Sequence, residues 1–112
     1  MQEYTVRNTP LLEKKLDKYL GYLINRKKSP LSAQSLLKDF VETRESLEKT
    51  AGMIKDPDDE ELKIRNLKRI NFRRHNYFLL FRTNGDIVEI MTMFHELENY
   101  SDKLTKELPV QE

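Results

Sequence analysis

The sequence has no cysteine, only three glycines, no long apolar run and a formal net charge of just +1. Each shortage removes a class of protein. Without cysteine there is no disulfide framework, and no thiolate for zinc or for nucleophilic catalysis. No stretch approaches the roughly 18 apolar residues of a membrane span, and the opening residues lack the apolar core of a signal peptide. We therefore expect a cytoplasmic protein with no membrane partner. Gly21, Gly52 and Gly85 stand alone, so no glycine-rich loop is present to cradle a phosphate. Two histidines are too few for an ordinary three- or four-ligand zinc site. His95-Glu96 opens like a zinc-peptidase helix, but Asn99 occupies the place of the second histidine. Neither a metal nor a cofactor is expected.

What is present fits one domain, 1–112, because domains commonly run to about 100–150 residues. The near-zero total hides a segregated charge pattern. Residues 1–55 carry 11 basic and 7 acidic side chains. Asp56 to Glu61 then supplies five carboxylates and no base. The next stretch is the reverse: Lys63, Arg65, Lys68, Arg69, Arg73, Arg74 and Arg82 appear between 63 and 82 without one acid. From 83 onward, seven acids stand against Lys103 and Lys106. A cationic strip can bind phosphate even on a neutral protein. It can equally be a solvated face paired with the acidic tail.

The element pattern is easier to read. Glu3 to Arg7 alternates as a short strand. Thr9-Pro10 supplies an N-cap and a first-turn proline. Leu12, Leu16, Tyr19, Leu20 and Leu23 follow at helical spacing, predicting a helix over 10–25. Ser29-Pro30 repeats the signal for a second helix, carried by Ala33, Leu36, Leu37, Phe40, Val41 and Leu47 and ending near Ala51-Gly52. The period then switches to alternation. Leu67 to Phe72 reads as a strand, although Leu67 and Ile70 differ in parity, which suggests a bulge. Tyr77 to Arg82 reads as a central strand covered on both faces. Asn84-Gly85 forms a hairpin turn, and Ile87 to Phe94 completes it, with Val88, Ile90, Thr92 and Phe94 on one face. Met91, Met93 and His95 share the other. Leu97, Tyr100, Leu104 and Leu108 space a C-terminal helix. The expected class is α+β, a small antiparallel sheet with a two-helix hairpin on one face, in the order βααβββα.

The residues that could carry chemistry are cations with interleaved aromatics. Arginine forks bind phosphate, and aromatic faces stack on splayed bases. Arg73-Arg74-His75 falls in a turn beside Phe72 and Tyr77, and His95 and Tyr100 could share a sheet edge. RNA can be cut without metal when a base activates the 2′-hydroxyl and cations stabilise the phosphorane; proton transfer supplies about 10²–10⁴-fold. Each residue also has an ordinary reading: Phe72, Tyr77, Phe78 and Tyr100 as core, His95 as a structural histidine.

The whole pattern resembles the RelE/ParE superfamily, the toxins of type II toxin–antitoxin systems. The resemblance is carried by Tyr4-Thr5-Val6 with Thr9-Pro10, the helix pair, and the block from Arg69 through Arg73-Arg74-His75 to Phe81-Arg82. It continues through Asn84-Gly85-Asp86, Val88-Glu89-Ile90, and Phe94-His95-Glu96-Leu97-Glu98-Asn99-Tyr100. The resemblance implies a cytoplasmic toxin held inactive by a cognate antitoxin encoded beside it. RelE-like members enter the ribosomal A site and cut mRNA without metal, whereas ParE-like members inhibit DNA gyrase. Carried over, it implies catalytic roles for Arg69, Arg73, His95 and Tyr100; from the cationic strip, Arg65, Lys68, Arg74, His75 and Arg82 are expected to bind RNA. It also exposes departures. Asn71 and Phe78 stand where a lysine and an arginine would be expected, and acidic Glu96-Leu97-Glu98 replaces a cationic stretch. A phosphorane dianion would find less stabilisation there. The expectation is a ribosome-dependent mRNA endonuclease, with a gyrase inhibitor or an attenuated, purely protein-binding toxin as the alternative.

Overall fold

The computed structural model describes residues 3–110. The first and last two residues of the expected domain lie outside the described residues. Strand β1 (Thr5–Asn8) leads into α1 (Pro10–Asn25) and α2 (Pro30–Thr50). A 3-10 turn (Ala51–Met53) and a short α3 (Glu60–Lys63) connect to β2 (Lys68–Asn71), β3 (Tyr77–Asn84), β4 (Ile87–His95) and α4 (Tyr100–Glu107). Both long helices start where their caps predict. Thr9 Oγ1 accepts the Leu12 N–H at 3.3 Å, and Ser29 Oγ accepts that of Ser32 at 3.2 Å. These bonds satisfy backbone donors that a helix start leaves unpaired.

The sheet order is β1-β4-β3-β2. Strands β2, β3 and β4 pair antiparallel as expected, but β1 pairs parallel to β4 along its edge. The antiparallel expectation is corrected at this edge. Helix α2 returns the chain to the end of the sheet where β1 began, its Glu48 carbonyl accepting the Tyr4 N–H at 2.8 Å, and 51–67 crosses to the far edge, so β2 runs in the same direction as β1.

Helices α1 and α2 cover one face, with Leu12, Leu16, Leu36, Phe40 and Leu47 packed on Leu79, Phe81, Val88, Ile90 and Met93. The other face is covered too. Leu62 and Leu104, from α3 and α4, join Leu67, Phe78, Leu80 and Phe94 in a second cluster. Two cores explain the parity puzzle of β2: Leu67 serves one and Ile70 the other, with no irregularity in that strand. They also explain why β3 is apolar nearly throughout.

The bulge lies in β4 instead. Leu80 pairs with Thr92 and Phe81 with Ile90, leaving Met91 unopposed. The extra residue reverses the facing of everything after it. Val88 and Ile90 therefore face α1 and α2, while Phe94 faces α4. The expected shared face of Val88, Ile90, Thr92 and Phe94 is thus divided, and Met93 separates from Met91. Thr9 holds the bulge: its hydroxyl donates to the Ile90 carbonyl at 2.8 Å and the Met91 carbonyl at 3.0 Å. The hairpin turn is also shifted by one residue. Asn84 pairs with Ile87, so Gly85-Asp86 are the central residues, and Gly85 has φ +63°. Positive φ at the first central position alone fits a type II′ turn, which places glycine there. Helix α4 begins at Tyr100, and Leu97 stands outside it, 89% exposed. Among the described residues, no helix is long and apolar enough to cross a membrane.

Candidate functional site

The seven cations between 63 and 82 do not form one strip. Arg65 is buried, and its Nε donates to the Leu108 carbonyl at 2.6 Å. Its Nη1 donates to the carbonyl and the carboxylate of Glu61, at 2.8 and 2.9 Å. A guanidinium so committed locks α3 to the C-terminal segment; the structure corrects its expected place on an RNA-binding surface. Arg82 donates through Nε to the Arg65 carbonyl at 2.9 Å. Lys68 donates to the Ile54 carbonyl at 2.9 Å, with Asp56 at 3.8 Å.

Arg69 and Tyr100 do come together, on the face covered by α4. Arg69 and Phe78 stand on neighbouring strands, and the guanidinium carbon lies 3.7 Å from the Phe78 ring centroid. Tyr100 meets the same Phe78 ring in a T-shaped contact, 5.5 Å between ring centroids. A carboxylate stands near each polar end. Arg69 Nε donates to Asn71 Oδ1 at 2.8 Å, and its Nη2 lies 3.6 Å from Glu96. The Tyr100 hydroxyl donates to Asp59, the cap of α3. Burial, then the Asp59 hydrogen bond and charge, push the phenol up to about 12, with Arg69 opposing. At neutral pH it is a proton-bearing group that donates to a carboxylate, poorly placed to act as a base.

His95 is elsewhere. The β4 bulge turns it toward α1, where it meets Tyr77 edge to face at 4.8 Å. The expectation that His95 and Tyr100 share one sheet edge is corrected: they occupy opposite faces. His95 Nδ1 accepts the Leu97 N–H at 3.1 Å, and its own N–H donates to Glu98 Oε1 at 2.9 Å. Glu98 also accepts from Tyr19 and Lys103. Burial raises the Glu98 carboxyl, but Lys103, Tyr19 and the His95 N–H outweigh it and bring it down to about 2.

The third group is the turn Arg73-Arg74-His75, pinned by a residue the sequence reading passed over. Asp39, on α2, is 1% exposed. It accepts the N–H groups of Arg73, Arg74 and His75 at 3.2, 2.9 and 3.0 Å, and His75 Nδ1 at 2.7 Å. His75 Nε2 then meets Ser35 Oγ at 3.3 Å. The order Ser–His–Asp follows that of a nucleophile relay, but its Asp also holds three backbone amides, which makes it a turn anchor. Arg74 pairs with Glu42 at 3.0 Å, and Arg73 lines an open groove together with Glu42, Glu45, Glu48 and Lys49 of α2. The expected catalytic set is therefore split: Arg69 and Tyr100 on one face, His95 against α1, Arg73 against α2.

Comparison with solved structures identifies the fold. A chain of the chromosomal ParDE TA system from P. aeruginosa superimposes with a TM-score of 0.67 at 18% identity, covering 83% of this chain and 96% of its own length. A chain of the toxin–antitoxin complex RelBE2 from Mycobacterium tuberculosis gives a TM-score of 0.55 at 24% identity, covering 83% and 98%. No family model and no curated protein matches the sequence. The chain has the α+β fold of RelE/ParE proteins.

Proposed function

We propose that the chain is the toxin of a toxin–antitoxin pair and that it acts by binding a protein target, not by cutting mRNA. One observation carries the second half. Where Arg69 and Tyr100 meet, Asp59 accepts the Tyr100 hydroxyl and the Glu96 carboxylate lies 3.6 Å from the Arg69 guanidinium. A phosphorane dianion entering there would face carboxylates where catalysis needs preorganised positive charge. The toxin role draws on the fold and on the origin of both similar chains in toxin–antitoxin assemblies. A cognate antitoxin is then the resident partner, and DNA gyrase is the target that a ParE-like member would take. The pinned turn Arg73-Arg74-His75 offers that target a fixed cationic contact, with the Arg74 side chain 60% exposed.

The test is expression of the chain alone in bacteria, with mRNA 5′ ends and gyrase-dependent DNA breaks mapped together. Growth arrest with DNA breaks and no codon-phased cuts is the expected result. Codon-phased cuts on translated messages would replace this proposal with the endonuclease, and normal growth would remove the toxin reading altogether.

A further inference from the structure

A cleft of about 330 Å³ opens beside α1, on the sheet face opposite Arg69 and Tyr100, and nothing in the toxin reading uses it. Tyr19, Tyr22, Tyr77, His95, Lys18 and Leu97 line it together with Glu98. Its volume lies at the small end of the roughly 300–1,000 Å³ of ligand clefts, and its apolar walls with a few polar groups fit that class. We infer that this cleft binds a nucleotide, with the planar base against the tyrosines and the phosphate at the lysines of the rim.

The rings carry the first half of the argument. Tyr19 meets Tyr77 at 5.1 Å and 75°, and Tyr77 meets His95 at 4.8 Å and 86°. Rings joined edge to face form walls and are not consumed in a parallel stack. Tyr22 is 48% exposed and offers a broad ring to an incoming base. Every nucleobase has a π-face, and stacking on aromatic side chains is the general means of holding one.

Charge carries the second half. The one carboxylate in the cleft, Glu98, is taken up by Lys103, the Tyr19 hydroxyl and the His95 N–H. Lys18 lines the rim, and Lys27 Nζ sits 5.8 Å from the Tyr22 ring centroid. Among the described residues, neither lysine is in an ion pair. A ligand that enters base first therefore meets aromatic walls inside and ammonium groups outside. His95 adds a directional contact: with Nδ1 accepting from Leu97, Nε2 is the ring nitrogen left to donate. An apolar side chain of a protein partner would use the walls but leave the Lys18 ammonium without a counter-charge.

Titration of the full chain with adenosine 5′-monophosphate, adenosine and a short oligoadenylate, followed by NMR of the Tyr22, Tyr77 and His95 rings, tests this. Saturable shifts are expected, with the monophosphate binding more tightly than adenosine. Tyr22→Ala should weaken both by about tenfold or more, the usual cost of losing one stacking partner. Tyr22 is half exposed, so the variant should fold. Lys18→Glu should weaken the monophosphate and spare adenosine. Arg69→Ala, on the other face, should change neither. Tighter binding of the oligoadenylate would make a nucleic-acid strand the source of the ligand; equal or weaker binding would make it a free nucleotide. Absence of saturation at millimolar ligand, indifference to Tyr22→Ala, or equal affinity for adenosine and its monophosphate would overturn the inference. None of these readings depends on toxicity, so this proposal and the toxin proposal can fail separately.

Discussion

Replacing Asp39 by alanine should cost about 3 kcal/mol of stability, and the figure follows from its four bonds. Hydrogen bonds to a charged group contribute about 1.5–3 kcal/mol each when donor and acceptor are both sequestered. Here the carboxylate is buried, but Arg73 and Arg74 are exposed, so their freed N–H groups regain water. Alanine also removes the cost of burying a charge. The loss therefore falls well below four full bonds. The pH dependence gives a second, independent check. Burial favours the neutral acid, but the hydrogen bond from His75 and the amides of Arg74 and Arg73 outweigh it and hold Asp39 below the usual carboxylate range. A depressed folded pKa means stability that is present above the unfolded value of 3.8 and lost as pH falls through the folded one. The difference between wild type and Asp39→Ala, measured by urea unfolding, should be largest near neutral pH and shrink below about pH 4. Ser35→Ala serves as the control, because Ser35 is exposed and meets His75 at 3.3 Å on the side away from Asp39; it should shift stability by no more than about 0.5 kcal/mol. A loss below about 1 kcal/mol for Asp39→Ala, or a difference that grows with acid, would refute the anchoring argument.

Thr9→Val keeps the shape of the side chain but removes an N-cap and both bonds to the bulge carbonyls. It should destabilise by about 2 kcal/mol in urea unfolding, and a loss under about 0.5 kcal/mol would separate the bulge from Thr9. Tyr100→Phe removes the hydrogen bond to Asp59 at a cost of about 1 kcal/mol. Loss of a general acid or base would lower activity by about 10²–10⁴-fold, so a variant that remains fully toxic is the expected result and an inactive one would restore Tyr100 to catalysis.

The parts of the fold legible in the sequence are those specified by neighbours in the chain. Thr9-Pro10 and Ser29-Pro30 place both helix starts correctly because a cap and its first turn are only three residues apart. The facing of β4 was not legible for the opposite reason. The bulge at Met91 is held by Thr9, more than 80 positions away, and alternation alone carries no trace of it. Asp39 did leave a signal. It falls on α2 among Leu36, Phe40 and Thr43, all buried, and an acid on the apolar face of a helix needs partners. Arg65 left only its four-residue spacing from Glu61, since its other two acceptors are backbone carbonyls, which any residue supplies.

The same distinction decides what the segregated charges mean. The basic stretch and the acidic segments on either side look like separate fields when counted along the chain. Folding brings them together: Arg65 meets Glu61, Lys68 meets Asp56, Arg69 meets Glu96 and Arg74 meets Glu42. With Lys63 beside Glu60, acids from the segment before the strip, from the tail after it and from α2 thus reach five of its seven cations. A surface meant to grip a phosphate backbone gains from unpaired cations arranged in a row. One whose cations are individually matched to carboxylates offers orientation and rigidity instead, the properties by which a protein partner is selected. The near-zero net charge is therefore reproduced at the level of individual contacts, and it favours recognition of a protein over a grip on RNA along this strip.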